Sequence, residues 1–167
     1  MENIKVNRTE SKKESEFELT SVYFAAVGLA AVIFGIVDIL VYLGISGGIE
    51  FGIMEISGED FFRFFWGGFI LIFGGLFILS GFKGMRKIHN FSKVLLGSIM
   101  IWIIAGCDIF AMICEGIPAP EDAPEFLNSL SGFIEGFMPP YTPAVIILPF
   151  TLVIVYLYYS WGFAKDD

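Results

Sequence analysis

Asp38 and Asp108 are the residues whose type and position most invite chemistry. Asp38 closes a charge-free run from Leu19 to Val37, and Asp108 interrupts an apolar stretch that begins at Val94. An ionisable group at the centre of a membrane helix disfavours insertion by about 2.5–3.5 kcal/mol, so each acid needs a partner or a function. At helical spacing Asp38 continues the small-residue line Ala31, Gly35, and Asp108 continues Gly97, Ala105, which turns both carboxylates toward a close-packed interior. Counted from Val22 and Val94 they stand 16 and 14 residues in, at similar depth. Two carboxylates at one depth can hold a proton or a cation between them, and Arg63 is the cation placed to respond. The same acids can instead lock helices together, by hydrogen bonds to Ser98, Tyr42, Thr151 or a backbone carbonyl, by pairing with Arg63, or by meeting a charge on another subunit.

Other reactive constellations are sparse. There is no Cys-x-x-Cys pair and no His-Glu-x-x-His. His89, alone in the basic segment GFKGMRKIHNFSK, reads as a solvated loop residue, since one histidine cannot assemble a metal site. Cys107 and Cys114 are seven residues apart on one helix, roughly 10 Å along its axis, so they cannot bridge each other and read as apolar fillers. No catalytic residue, cofactor or metal set is expected.

The elements that must position the two acids follow from composition. Of 167 residues, 56% are hydrophobic and 17% charged, against roughly 25% charged in soluble domains. The mean hydropathy is +0.74. Uncharged runs cover 19–37, 64–82, 94–107 and 136–164. About 20 apolar residues cross a bilayer as a helix. Four spans are therefore predicted, near residues 20–45, 62–82, 94–117 and 142–163. The fold expected is all-α: a polytopic membrane protein whose four transmembrane helices form one bundle over 19–167.

Charge sets its orientation. Lys5, Arg8, Lys12 and Lys13 precede the first span, Lys83, Arg86, Lys87 and Lys93 separate the second and third, and Lys165 follows the fourth. Nine of the ten cations thus share one side, which predicts the cytoplasmic membrane with both termini cytoplasmic. The basic loop suits anionic lipid head groups. Residues 1–18 mix five glutamates with four cations and read as a mobile tail rather than a signal peptide. The net charge of −8 gives no basis for a nucleic-acid partner.

Within the spans, aligning Asp38-Ile39-Leu40 on Asp108-Ile109-Phe110 suggests a two-plus-two hairpin repeat. Gly67, Gly74 and Gly81, with Gly68 and Gly75 beside them, repeat at the seven-residue spacing of Gly28 and Gly35, predicting a tight hairpin of spans one and two. Pro149 should kink or loosen the fourth span, whose Tyr156, Tyr158, Tyr159 and Trp161 resemble an interfacial aromatic belt.

The outer loops are acidic. In the first, Phe51, Ile53, Met54 and Ile56 are apolar, and Ser57 with Asp60 reads as a capping box opening the second span. In the second, Asp122, Pro124 and Glu125 start a short helix over about 123–137, whose Phe126, Leu127, Leu130, Phe133, Ile134 and Phe137 share one face. It has no cation to meet anionic lipid, which favours docking on a protein.

Few polar residues line the spans and almost no soluble mass remains. An accessory or assembly subunit of a larger membrane complex, such as a redox-driven or ion-pumping one, is therefore the leading expectation, with membrane lipid and other membrane subunits as partners. The alternative is a proton- or cation-coupled transporter or channel using Asp38 and Asp108, as a homo-oligomer because four helices make a thin pathway. A lipid-modifying enzyme with a borrowed metal ranks last for want of ligands.

Overall fold

A computed structural model describes the backbone of residues 2–115 and 138–161, and the side chains of 17–114 and 138–161. In chain order these form α1 (Glu2–Tyr42), a hairpin of β1 (Ile49–Phe51) and β2 (Met54–Ile56), a π-helical turn (Phe61–Trp66), α2 (Gly67–Gly81), α3 (Ile88–Glu115), α4 (Pro143–Thr151) and α5 (Val153–Ser160). Four helical stretches among the described residues are long and apolar enough to cross a membrane: Phe17–Tyr42, Phe61–Gly81, Ile88–Cys114 and Pro143–Ser160. Helices suit such segments because each backbone group finds its partner within the segment, where hydrocarbon offers none.

The helices pack in sequence, α1 on α2, α2 on α3, α3 on α4, and α4 back on α1. Glycine sets the first two contacts. A Cβ on Gly75 would lie 2.6 Å from the Gly28 carbonyl oxygen, and one on Gly68 would lie 2.7 Å from that of Gly35. On the adjoining face Gly74 meets Gly97 of α3, and Gly81 meets Asn90. The expected tight hairpin of spans one and two is therefore built from Gly68 and Gly75, whereas the Gly67, Gly74, Gly81 line faces α3. Adjacent positions on a helix differ by about 100°, so two neighbouring stripes serve two partners.

From this glycine zone toward the basic loop the described interior is mainly apolar. Phe24, Leu71, Ile78, Ile101, Ile147 and Ile154 are all buried in one cluster. The opposite faces present Leu29, Ile33, Phe73 and Leu76 outward, as lipid-facing positions do.

Several boundaries differ from expectation. Segment 2–16, expected as a mobile tail, continues α1 as helical backbone: it contains no glycine or proline and extends a helix already nucleated by the apolar run. At its other end α1 stops at Tyr42, not residue 45. Gly44 takes φ +70, its amide donates to the Val41 carbonyl at 2.9 Å, and the Ile45 amide donates to the Leu40 carbonyl at 3.0 Å, a Schellman ending. α3 begins at Ile88, six residues before the expected Val94, so His89 and Lys93 stand on its first turns rather than in a loop.

The first loop also departs from an all-α fold. β1 and β2 pair antiparallel, Ile49 with Ile56 and Phe51 with Met54. Gly52, at φ +60, opens a two-residue turn of the kind that matches strand twist. Ile56 plugs the hairpin into a second small core with Val41 and Phe64. The Tyr141 amide donates to the Ile53 carbonyl at 2.8 Å and the Glu55 amide to the Tyr141 carbonyl at 3.0 Å, so the strand leading into α4 lies along β2.

The second span opens differently too. Asp60 itself is the N-cap, its Oδ1 accepting from the Arg63 amide at 2.8 Å, and not the third residue of a box capped by Ser57. Gly58, at φ +73, turns the chain between them. The fourth span is interrupted at Leu152. Pro149 inside α4 has no N–H to donate, and nearby the Tyr23 hydroxyl donates to the Phe150 carbonyl at 2.9 Å, supplying a partner where the helix loosens.

Candidate functional site

Both aspartates lie in the interior, Asp38 1% exposed and Asp108 2%. Asp38 stands one turn before the end of α1, packed against α2, where a Cβ on Gly68 would lie 3.1 Å from its own Cβ. A side chain at 68 would press on Asp38 as well as on the Gly35 carbonyl oxygen. Among the described residues the buried Oδ1 of Asp38 has no hydrogen-bond partner. Asp108, on α3, is close enough for its charge to act on Asp38.

Asp108 is anchored from the fourth span. The Thr142 hydroxyl donates to its Oδ2 at 2.6 Å. Thr142 is the N-cap of α4, just before Pro143 at the first helical position, yet its side chain makes no cap bond. The hydroxyl is spent on the acid instead. The partners expected from sequence are engaged elsewhere: the Ser98 hydroxyl donates to the Val94 carbonyl of its own helix, and Thr151 accepts from the Trp102 indole N–H at 2.8 Å.

Arg63 sits in the π-helical turn with Nε and Nη2 buried, and its charge reaches Asp108. Asp60, three residues earlier, acts on Asp108 as well. These three polar residues are among those lining a cavity of about 380 Å³. Phe62, Trp66 and Ile70 form one wall of it, and Met100, Ile103, Ile104, Cys107 and Ala111 of α3 form the other. The π-helical turn widens the start of the second span beside this space; such turns recur at functional sites. Asp38 is not among the lining residues.

Two buried acids whose charges act on each other are the kind of pair that can share a proton. Among the described residues no group of three or more His, Cys, Asp and Glu side chains could hold a metal ion. Cys107 and Cys114 are free and exposed, not buried fillers, because α3 turns them away from its packed face. Gly44-Ile45-Ser46-Gly47-Gly48 matches the Gly-x-Ser-x-Gly spacing of hydrolase nucleophiles. Here, however, it ends a helix, Ser46 is exposed, and the single histidine, His89, lies at the far end of α3. It carries no triad.

Tyr158 and Trp161 turn inward, 6.2 and 6.1 Å from the Phe91 ring, while Tyr156 and Tyr159 face outward. The proposed docking residues Phe126, Leu127, Leu130, Phe133, Ile134 and Phe137 lie outside the described residues. Sequence reasoning missed Thr142 and the cavity wall. Thr142 had one usable signal, a hydroxyl immediately before a helix-opening proline. Comparison with protein-family models, curated proteins and solved structures finds no match.

Proposed function

We propose that this chain is a small multi-pass protein of the cytoplasmic membrane, both termini inside, that serves as an accessory or assembly subunit of a larger membrane complex. One observation supports the reading: the acids and the cavity occupy the hairpin end, while the described interior beyond them is filled mainly by apolar side chains such as Leu71, Ile78, Ile101, Ile147 and Ile154. A chain that conducted ions alone would need polar groups or water through that half. An ion-pumping or redox-driven complex is the natural host, since a buried acid pair beside a partner's pathway can take part in its proton traffic. The hairpin repeat belongs to this reading. Asp38 and Asp108 come from the first and third spans, and those spans pack on neighbouring glycine stripes of α2.

A transporter or channel, formed as a homo-oligomer, is the second reading. The buried, unpartnered Asp38 Oδ1 favours it, because a carboxyl oxygen without a donor is costly unless something binds there. Replacing both aspartates by asparagine separates the two. Loss of co-purifying chains, with no intrinsic flux from purified wild type in vesicles, supports the subunit. Flux by the wild type that the variant loses while keeping its oligomer supports the transporter.

A further inference from the structure

The loop joining α2 to α3, at the end of the helices away from the acids, is tightly tied. Gly84, at φ +75, turns it, and the Lys87 amide donates to the Gly84 carbonyl at 3.0 Å. The Asn90 side-chain amide donates to the carbonyls of Lys83 and Gly84, at 2.8 and 3.2 Å. Met85, 1% exposed, plugs the turn into the core, while Lys83, Arg86 and Lys87 around it are exposed. One turn of backbone thus gathers three cations, and residues 82–93 contain no acid. Among the described residues none of the three forms an ion pair, and neither does Glu18, the exposed acid at this end of α1.

Depth decides what can reach these cations. Residues 82–87 alone separate two helices of spanning character, so the loop stays at the level of the lipid head groups. Ile88, 60% exposed, sets an apolar side chain beside the cations. Arg86 lies 4.6 Å over the Phe17 ring of α1, and that ring is 4.3 Å from Trp161, which follows α5. Lys83 lies 5.6 Å over the Phe82 ring. A ring steadies a cation but brings it no acceptor oxygen. We propose that this loop is a binding site for anionic phospholipid of the phosphatidylglycerol class, whose phosphate accepts from Lys83, Arg86 and Lys87. A choline lipid carries a phosphate too, but its own quaternary ammonium cancels that charge and is repelled by three cations, so it binds more weakly. Because Arg86 rests on rings from both ends of the chain, lipid bound here also fastens α1 and α5 to the loop. The proposal holds whether the chain is a subunit or a transporter, since it concerns neither acid.

The test is titration of the purified, delipidated full chain in detergent with phosphatidylglycerol and, separately, phosphatidylcholine, read by native mass spectrometry. Each cation beside an anionic lipid contributes roughly fivefold, so wild type should prefer the glycerol lipid, and Lys83→Gln combined with Lys87→Gln should cut that preference by about 25-fold. Glu50→Gln combined with Glu59→Gln, at the hairpin end, alters as many charges and should keep it. All four side chains are exposed, so none of these variants disturbs the core. Glycerol phosphate at the same concentration as the lipid should fail to displace it. Equal affinity for the two lipids, a preference that the double lysine variant keeps, or displacement by glycerol phosphate, which would mark a site for a soluble anion, would overturn the proposal.

Discussion

The two ends of the helical region are built on opposite terms. Toward the basic loop, glycines let backbones touch and large apolar side chains fill most of what remains, and the buried hydroxyls of Ser98 and Thr151 are both hydrogen-bonded. Toward the hairpin, the interior holds two acids, a threonine and part of an arginine, next to a cavity and a π-helical turn. The first end is what helix association in a membrane requires. The second spends that stability on polar groups that packing does not need, which is the usual mark of a site.

That contrast can be broken most severely at the glycine contact. Gly75→Leu would drive a side chain into the Gly28 carbonyl, 2.6 Å from the new Cβ, and backbone cannot step aside. It should cost about 3 kcal/mol or more, read as loss of folded protein in a detergent unfolding titration. At the polar end Thr142→Val removes the hydroxyl that donates to Asp108 Oδ2 and should cost about 1–3 kcal/mol. Asp38→Asn should by contrast cost less than about 0.5 kcal/mol or stabilise, because the buried Oδ1 has no described hydrogen bond to lose. If the two substitutions cost the same, the acids do not differ as described.

Smaller effects sharpen the same comparison. Trp102→Phe loses the bond to Thr151 that ties α3 to the loosened fourth span, and a drop of about 0.5–1.5 kcal/mol is expected by the same titration. Gly106→Ala should move the other way. Nothing lies within 4 Å of its would-be Cβ, so an alanine removes backbone freedom from the unfolded chain without a clash and should raise stability by about 0.5–1 kcal/mol.

Span number and the inward direction of the acids were legible because hydrocarbon thickness dictates length and helical period dictates facing. Asp38 and Asp108 could be placed beside small residues by counting threes and fours. The role of each glycine stripe was not, since choosing between Gly74 and Gly75 as the α1 contact depends on rotation about the helix axis, which packing decides. The hairpin escaped notice because three-residue strands leave almost no period to read, and Ile49, Phe51, Met54 and Ile56 look as apolar as any membrane-adjacent loop. Thr142 was hidden by separation: 34 residues lie between it and Asp108, and sequence spacing says nothing about such pairs. Pro149 was legible as a weak point, though the helix breaks three residues later, at Leu152.

The claim that the chain works as part of a larger complex is tested most directly by extracting it from its native membrane in mild detergent and weighing whatever co-migrates. Foreign membrane chains in fixed stoichiometry are the predicted result. A single species made only of this chain would contradict it, and would turn attention to proton flux through Asp38 and Asp108.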